Sequence, residues 1–471
     1  MSSIVKHLVG DSSLEIIEYQ QIEKLGWNKI KISPFENYYC YYTGEKLILP
    51  KCLENSDISK RIKYAESDWI LKEDTERYNE HDAITGLIKV ISLNREVGLP
   101  VLAYTIAGLM KSLFRECGIP PKFILYVCGA KGRKKTPYMS LMTPIFSRNG
   151  DNSKLIVQLN STTFTVDNLI NDYSDFIVVL DNVYISEDKE IKKRIKKVFE
   201  EAVQSIGDDI GKGKAYKQYQ PSSSIIATGE NDGIGNPSTI ARYLTIPFDD
   251  VLKDRDKEVI LNRYQQEPLI ISTFYYYLLQ YIVDNTNKIV DSIRDLLYDF
   301  REISSSLDID SKLKDRYFIL LIAFMIFLKY CEDKGFMEYE EIECLKKHFS
   351  DNLFQLLRNH SKTIKEKETN EIRPTDFVQL IKHWYDNDMF DMAKDENDKK
   401  LGVREALIYK DCLCLRTEPL MRKINKSLYS VKIDDIIVQL VAKGLLKSDS
   451  DKNTAKIKGL RFLVIPLSKL R

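Results

Sequence analysis

The sequence predicts an α/β protein whose core is a parallel sheet, followed by a mostly helical region and a C-terminal unit of helices and a β-hairpin. Three observations support this prediction. Apolar strands alternate with helices between residues 124 and 229, which is typical of a parallel sheet covered on both faces. Helical periodicity then prevails from 251 to 390. In the C-terminal part, two helical segments precede two strands around the turn Lys458-Gly459.

The length of 471 residues exceeds what one hydrophobic core usually supports, so several domains are expected. We predict a small mixed N-terminal domain at 1–80, an α/β core at 81–250, a helical region at 251–390 and a helix–hairpin domain at 391–471. The acidic segment YDNDMFDMAKDENDKK, near the last boundary, is expected to be a linker or loop.

Composition and charge exclude several classes of protein. The chain is 44% hydrophobic, which argues against disorder, and its net charge of +1 excludes uniform electrostatic binding to nucleic acid. The eight cysteines show no C-x-x-C pair, as expected for reduced thiols in a cytoplasmic protein. The longest apolar run, 317–328, is too short for a bilayer, and the N-terminus lacks the apolar core of a signal peptide. We therefore expect a soluble protein without a membrane partner.

The stretch ILYVCGAKGRKKTPYMSLM, residues 124–142, predicts a strand, a glycine-containing loop and a helix. Its loop approximates the phosphate-binding pattern G-x-x-x-x-G-K-[ST]. Gly129, Lys135 and Thr136 match the pattern; Gly132 lies between them, and Lys134 replaces the second glycine. A loop between a strand and a helix directs backbone N–H groups and the helix N-terminus at an anion. This context argues against the alternative, a chance match in a lysine-rich chain.

Polar residues end two of the other predicted strands. Asp181 ends the apolar strand FIVVLDN, and a carboxylate there can hold Mg²⁺ through water. Thr228 lies at the polar end of SSIIATGE, where it can stand between the two other strand ends and sense the γ-phosphate. A phosphate loop, an acid and a polar residue in this order predict the site of an AAA+ domain that binds ATP and Mg²⁺. The alternative is an α/β core without a ligand.

The loop pattern G-x-x-G-x-x-K-[ST] resembles that of minichromosome-maintenance (MCM) helicases, which also lack the second glycine. The wider pattern is similar to the phage and plasmid ATPases related to them, whose members include self-loading helicases of bacterial mobile genomic islands. The segments that carry the likeness are IPPKFILYVCGAKGRKKT, FIVVLDN, IGDDIGKGKAYKQY, SSIIATGE and CLCLRTEPLMRKI with AKGLL. The likeness extends over approximately residues 85–471.

The resemblance implies a role for each site residue. Lys135 would contact the β- and γ-phosphates, and Thr136 and the Walker B acid Asp181 would hold the magnesium ion. Thr228 would be the sensor. Arg242 falls where such proteins place an arginine that reaches the γ-phosphate of a neighbouring subunit; the alternative is a surface arginine that ends a helix. The implied assembly is a ring, expected to be a homohexamer, with its ATP sites between subunits.

Two departures from the family pattern favour ATP binding over fast hydrolysis. Lys134 brings bulk and charge beside the expected phosphates. Asn182 stands where a catalytic glutamate usually activates water, and an amide can orient water but cannot take its proton. Glu230, at the end of the sensor strand, is a candidate substitute, although a structural role is the simpler interpretation of a lone acid.

A glycine- and lysine-rich segment precedes the sensor strand. In MCM-like motors a hairpin here projects into the central channel and grips single-stranded DNA. Lys212, Lys214 and Lys217 could follow the phosphate backbone, and Tyr216 could stack on bases. The alternative is a solvated loop.

The C-terminal unit is basic, because residues 401–471 contain 15 Lys and Arg against 7 Asp and Glu. Its order of two helices and a hairpin is the layout of a winged helix. Arg422 and Lys423 flank one helix and Lys458 lies on the wing, which suits contact with DNA phosphates. Winged helices also serve as protein–protein modules, which is the alternative here.

These features together predict an ATP-dependent DNA helicase or translocase for replication of a mobile genetic element. Single-stranded DNA is the expected partner, and duplex DNA is a second candidate. Two alternatives stay open. One is a replication initiator or loader that binds nucleotide but hydrolyses it weakly or not at all, which Lys134 and Asn182 favour. The other is a winged-helix regulator that binds duplex DNA independently of ATP.

Overall fold

The computed structural model describes most of the chain. The described residues are 20–22, 24–33, 36–57, 59–148, 156–158, 163–183, 189–210, 220–230, 233–248, 254–303, 309–370, 377–427, 433–446 and 454–470. The chain divides into two compact units, Met1–Lys365 and Glu366–Arg471, and each unit has a hydrophobic core of its own.

Short strands build the N-terminal part of the first unit. They are β1 (Gln20–Ile22), β2 (Gly26–Ser33), β3 (Glu36–Tyr42), β4 (Leu47–Ile48), β5 (Ile62–Tyr64) and β6 (Trp69–Leu71). β2, β3 and β4 form an antiparallel sheet, in which the turn at Thr43-Gly44 joins β3 to β4. Gly44 has a φ of +98°, and a Cβ there would lie 2.1 Å from the carbonyl oxygen of Trp69. Only glycine fits this turn.

Three helices follow, separated by single residues. They are α1 (Glu80–Leu93), α2 (Arg95–Leu109) and α3 (Lys111–Glu116). The first of these residues is Asn94, whose side chain accepts a hydrogen bond from the backbone N–H of Val97 at 3.3 Å and so caps α2. From Val97 onward α2 is buried on every face, which explains its almost uniformly apolar sequence.

A five-stranded parallel sheet forms the centre of the first unit. The elements in chain order are β7 (Ile124–Cys128), α4 (Lys135–Met142), β8 (Phe146–Arg148), β9 (Ile156–Gln158), α5 (Thr163–Asp172), β10 (Ile177–Val183), α6 (Lys189–Asp208), β11 (Ser224–Gly229), α7 (Pro237–Ile240) and β12 (Tyr243–Pro247). The order in space is β12-β7-β11-β10-β9. For this sheet, the sequence predicted strands only between residues 124 and 229, so β12, which is short and ends in proline, was not predicted.

This strand order determines which chain segments meet. The chain runs from β7 to the far edge at β9, returns through β10 to β11, and then passes β7 to reach β12. β11 therefore lies between β7 and β10, and the carboxyl ends of these three strands adjoin. Ligands of open α/β sheets bind at the carboxyl ends of strands where the chain changes direction in this way.

β10 carries an irregularity at its carboxyl end. Leu180 is in register with Ala227 and Val183 with Gly229, so two residues of β10 oppose one residue of β11. The two residues of β10 in this irregularity are Asp181 and Asn182. Bulges of this kind redirect side chains and are frequent next to active sites.

Long helices complete the first unit, and its boundary after Lys365 lies within the last of them. They are α8 (Arg255–Gln266), α9 (Leu269–Ile303), α10 (Ser311–Asp333) and α11 (Tyr339–Asn370). The apolar run 317–328, too short for a bilayer, lies in α10 and is largely buried. In the described part of the chain, no helix has an apolar stretch long enough to cross a membrane.

The second unit is a sheet with helices. Its elements are α12 (Phe377–Asp386), β13 (Met392–Ala393), β14 (Ala406–Tyr409), β15 (Cys412–Arg416), α13 (Thr417–Ser427), α14 (Ile433–Ala442), β16 (Ala455–Ile457), β17 (Leu460–Pro466) and α15 (Leu467–Leu470). The predicted order of two helices and a hairpin is present as α13, α14, β16 and β17. The sheet is larger than the hairpin, with the order β13-β14-β15-β17-β16, and the acidic segment expected as a linker or loop contributes β13 to it.

Candidate nucleotide site

The predicted phosphate loop joins β7 to α4. Gly129 approaches the chain after β12 so closely that a Cβ would lie 2.3 Å from the carbonyl oxygen of Phe248. Gly132 has a φ of +79°, in the left-handed region. The backbone geometry therefore requires glycine at the first position and favours it at the second.

Lys134 also has a left-handed backbone, with φ 59° and ψ 30°, at the residue before α4. This conformation explains why glycine suits the position. The Lys134 Nζ forms an ion pair with Oε1 of Glu258 on α8, and this hydrogen bond lowers the pKa of the Glu258 carboxyl. The sequence predicted a charge beside the phosphates, whereas the structure pairs that charge with a carboxylate from another element.

Lys135 is the first residue of α4 and is buried. Its Nζ donates to the carbonyl oxygens of Gly129 at 2.7 Å and Ala130 at 2.8 Å, so the side chain folds back over the loop. Burial lowers the pKa of Lys135, and the negative charges of Glu230 and Asp181 oppose this shift. The ammonium group thus lies inside the loop, where the predicted phosphates would be.

Thr136, Asp181 and Thr228 meet at the adjoining strand ends. The Thr136 hydroxyl donates to Oδ1 of Asp181, and the Thr228 hydroxyl donates to the same oxygen at 2.7 Å. The two hydroxyl oxygens are 3.2 Å apart. The start of α4 and the ends of β10 and β11, which are distant in sequence, therefore present oxygen atoms to one point.

The oxygen atoms at this point suit a magnesium ion. Mg²⁺ prefers oxygen ligands and is usually held by one or two carboxylates together with substrate phosphates and water. Thr136 and Asp181 supply a hydroxyl and a carboxylate in direct contact. Among the described residues, no group of three His, Cys, Asp or Glu side chains could hold a metal ion alone. The remaining ligands of an ion here would come from nucleotide phosphates and water.

The two candidates for activating water lie at the same strand ends. Asn182 belongs to the irregular end of β10, although its side chain is outside the described part of the structure. The backbone N–H of Glu230 donates to the carbonyl oxygen of Val183 at 3.2 Å, so the residue after β11 adjoins the end of β10. The Glu230 side chain is exposed, and its charge acts on Lys135.

Arg242 lies at the edge formed by the amino ends of the strands, whereas the loop of its own chain lies at the edge formed by their carboxyl ends. It precedes Tyr243, which is in register with Ile124 at the start of β7, whereas the loop follows the end of β7. The length of a five-residue strand, roughly 15 Å, separates the two edges. The structure thus does not bring Arg242 together with the other predicted site residues of the same chain.

The residues predicted to bind DNA have different surroundings. Lys212, Lys214, Tyr216 and Lys217 lie outside the described residues. Lys458 is exposed at the turn between β16 and β17, with a φ of 47°.

Arg422 and Lys423, on α13, have partners within the second unit. Arg422 is exposed and pairs with Glu418 one helical turn away, at 2.9 Å. Lys423 is largely buried: its Nζ lies 2.5 Å from Glu405 and 5.2 Å from the ring centres of both Trp384 and Phe390. The geometry of Lys423 is that of a packing residue, so Arg422 is the better placed of the two to meet a phosphate.

The sequence did not indicate the partners of the predicted residues. Glu258 pairs with Lys134 across 124 positions, and Asp208 pairs with Arg242 across 34 positions. Neither acid stands in a motif, and no periodic pattern in a single sequence relates residues so far apart.

Comparison with known proteins shows a shared fold. No family model and no curated protein sequence matches the chain. Among solved structures, the active helicase "SCCmec type IV Cch" aligns with 100% of this chain and 83% of its own, with a TM-score of 0.57 and 14% identity. A candidate ATPase from Cytophaga hutchinsonii aligns with 57% of this chain and 87% of its own, with 12% identity and a TM-score of 0.24, too low to indicate a common fold.

Replacing Lys134 with alanine is expected to leave nucleotide affinity nearly unchanged, because its ammonium group is engaged by Glu258. Lys134→Gly should behave the same way, since glycine tolerates the left-handed backbone. Titration of each variant with a fluorescent ATP analogue would measure this, with Lys131→Ala in the same loop as the control. A loss of about tenfold or more in affinity for Lys134→Ala alone would contradict the expectation.

Proposed function

We propose that this chain is an AAA+ ATPase of the helicase type, which couples binding and hydrolysis of ATP to movement along DNA. The observation that carries the proposal is the contact of Thr136, at the start of α4, with Asp181 and Thr228 at neighbouring strand ends, beside the buried Lys135 of the loop. The same set would have little reason to meet in an α/β core without a ligand, because it buries a lysine and a carboxylate.

Each side chain has a distinct part in this proposal. The Lys135 ammonium binds the β- and γ-phosphates, and leaves the carbonyl oxygens of Gly129 and Ala130 to do so. Thr136 and Asp181 would hold Mg²⁺, and the chemistry that this ion would supply is neutralisation of charge on the phosphates. The Thr228 hydroxyl donates to Asp181 and orients that carboxylate.

We place the active sites between copies of the chain. Arg242 is too far from the loop of its own chain to contact a nucleotide there, yet it lies beside a cavity at the sheet edge. In a ring, with a hexamer as the proposed form, this edge faces the nucleotide of the next subunit. The guanidinium would then stabilise charge on the γ-phosphate in the transition state.

The replication of a mobile genetic element is the proposed setting. The described similarity to an active helicase of SCCmec supports it, together with the sequence resemblance to helicases of mobile genomic islands. Single-stranded DNA is the proposed substrate of the motor, gripped by Lys212, Lys214, Tyr216 and Lys217.

The hairpin of the second unit supports contact with duplex DNA as a winged helix. Lys456 lies directly opposite Arg461 in the register of β16 and β17, and both are exposed. Like charges that oppose each other on neighbouring strands destabilise a hairpin. A phosphate between them removes this repulsion. Together with Lys458 at the turn, they offer three cations to a DNA backbone.

Replacing Lys458 with glutamine is expected to weaken duplex DNA binding and to reduce its salt dependence by about one unit of log–log slope. Lys410→Gln is a matched control, because Lys410 also lies at a turn with a φ of 47°, but at the other end of the sheet. Anisotropy titrations at several salt concentrations measure both slopes. Equal slopes for the two variants and the wild type would remove the hairpin from the DNA interface.

Replacing Asn182 with glutamate is expected to raise the rate of ATP hydrolysis. An amide cannot accept a proton from water, and lack of a general base typically costs about 10²–10⁴ in rate. Positioning and charge stabilisation remain, so the wild type should hydrolyse ATP slowly. Steady-state phosphate release from both proteins measures the effect, with Asn171→Glu outside the site as the control. If the wild type is already fast and Asn182→Glu slows it, Glu230 becomes the first candidate for the base.

A strand-separation assay tests the proposed function as a whole. Wild type should unwind a forked duplex with ATP, and single-stranded DNA should stimulate its ATPase activity. Asp181→Asn should abolish both activities and preserve the fold. Nucleotide binding without turnover, even for Asn182→Glu, would establish the initiator or loader scaffold instead. Sequence-specific duplex binding that ignores ATP would establish the winged-helix regulator.

A further inference from the structure

The guanidinium of Arg242 is held by acceptors of its own chain. Its Nε donates to Oδ1 of Asp208 at 2.8 Å, and Nη2 lies 2.7 Å from the same oxygen. Its Nη1 donates to the carbonyl oxygen of Ser238 at 2.8 Å and also contacts the hydroxyl of that residue. All three nitrogen atoms of the side chain therefore face polar oxygens.

Helix α6 leaves room for the aliphatic part of Arg242. Gly207 is within this helix, and a Cβ there would lie 2.5 Å from Cδ and 2.6 Å from Cγ of Arg242. Glycine is less favourable than alanine inside a helix. The backbone of Gly207 does not have a left-handed φ, so its conformation does not call for glycine. The space that a side chain at position 207 would occupy is filled by the aliphatic part of Arg242.

The backbone around Arg242 is fixed from the opposite side. Arg316, on α10, is buried and donates to the carbonyl oxygens of Ala241 and Tyr243, which are the residues on either side of Arg242. Another element thus holds the backbone on both sides of Arg242.

An approaching phosphate would have to compete with Asp208. Arg242 lines a cavity of about 360 Å³ that is open to solvent and is also lined by Lys122 and Arg316. Carboxylates and phosphates bind the fork of a guanidinium with the same geometry. With Asp208 in place, the fork of Arg242 is occupied.

We propose that Asp208 is a stand-in for phosphate, which holds Arg242 within its own chain until the γ-phosphate of a neighbouring copy displaces it. The inference rests on the proposed function, in which Arg242 acts on the next subunit. Formation of an active interface then breaks the pair of Arg242 and Asp208, so Asp208 opposes assembly and prevents the arginine from taking other anions.

A purely structural role explains the arrangement less well. The side chains of Arg242 and Asp208 are 28% and 43% exposed, and ion pairs this accessible contribute little to folding stability. The absence of a side chain at Gly207 and the hydrogen bonds from Arg316 determine where Arg242 lies. They do not strengthen its ion pair with Asp208.

Asp208→Asn tests the proposal. The amide weakens the hold on Arg242, so the protein concentration for half-maximal ATPase activity should fall about two- to fivefold, as expected for an exposed ion pair. Turnover per assembled subunit and the melting temperature should not change. Asp315→Asn is the matched control, because Asp315 lines the same cavity and, within the described structure, forms no ion pair with Arg242.

Gly207→Ala is expected to lower ATP turnover, because its added methyl group would displace the side chain of Arg242. An unchanged or higher half-maximal concentration for Asp208→Asn would overturn the proposal, as would wild-type turnover in Gly207→Ala. Arg242→Ala separates this from failure of the proposed function: if that variant keeps full activity, the arginine does not act between subunits at all. If it is inactive while Asp208→Asn equals the wild type, only the stand-in role of Asp208 is wrong.

Discussion

Lys135→Ala is expected to abolish measurable nucleotide binding. The side chain is buried in the loop, and its loss removes a positive charge beside the phosphates. Coulomb's law at about 4 Å assigns this contact roughly 1–4 kcal/mol between bulk-water and intermediate dielectric constants, and the higher value applies inside the loop. Affinity for ATP should therefore fall by up to about 10³. Isothermal titration with a slowly hydrolysed ATP analogue measures the loss.

Lys135 also bridges two carbonyl oxygens of the loop, so its removal could loosen the loop without any role in binding. Lys135→Arg provides the control, because it keeps the charge and can still donate to those carbonyl groups. Thermal unfolding without nucleotide reports on the loop and the fold. If Lys135→Ala binds ATP with wild-type affinity, the loop at 129–136 is not a phosphate-binding loop. A loss of affinity together with a large fall in melting temperature would attribute the effect to folding.

Arg242→Ala is expected to reduce ATP turnover by about 10³ or more while leaving nucleotide binding to the same chain intact. An arginine that reaches a phosphoryl group in the transition state commonly contributes about 10³–10⁵ in rate. Arg242 cannot supply this within its own chain, because it lies at the opposite edge of the sheet from the loop. Single-turnover hydrolysis at protein concentrations above assembly measures the defect.

Mixing two inactive variants determines whether Arg242 acts between subunits. Arg242→Ala has an intact loop, and Lys135→Ala has an intact arginine, so a mixed interface can contain both. Activity should return on mixing, and it should not return when Lys135→Ala is mixed with the double variant. No recovery, in a mixture shown to co-assemble, would assign the arginine to its own chain. A modest loss for Arg242→Ala alone would favour the alternative of a surface arginine.

The sequence alone determined the local parts of the sheet and of the site. The apolar stretches of β7, β10 and β11 are recognisable because a buried parallel strand needs a short apolar run between polar ends. The phosphate loop is recognisable because its glycines and its lysine are neighbours along the chain. For the same reason, Asp181 and Thr228 could be identified as the polar ends of their strands.

Tertiary structure decided what those residues contact. The insertion of β11 between β7 and β10 brings the Thr228 hydroxyl to Asp181, which lies in the irregular end of β10. The sequence did not predict β12 because its hydrophobic pattern is weak, and its burial depends on pairing with β7.

The same distinction applies to the charged side chains. A lysine at position 134 predicts a charge near the phosphates, but a salt bridge to Glu258 is decided only when α8 packs beside the loop. Arg242 in the sequence is an arginine before a strand; Asp208 and Gly207 become its surroundings only when α6 lies against that strand. Side-chain pairing acts over a few ångströms in space, and folding brings together residues whose separation along the chain carries no pattern.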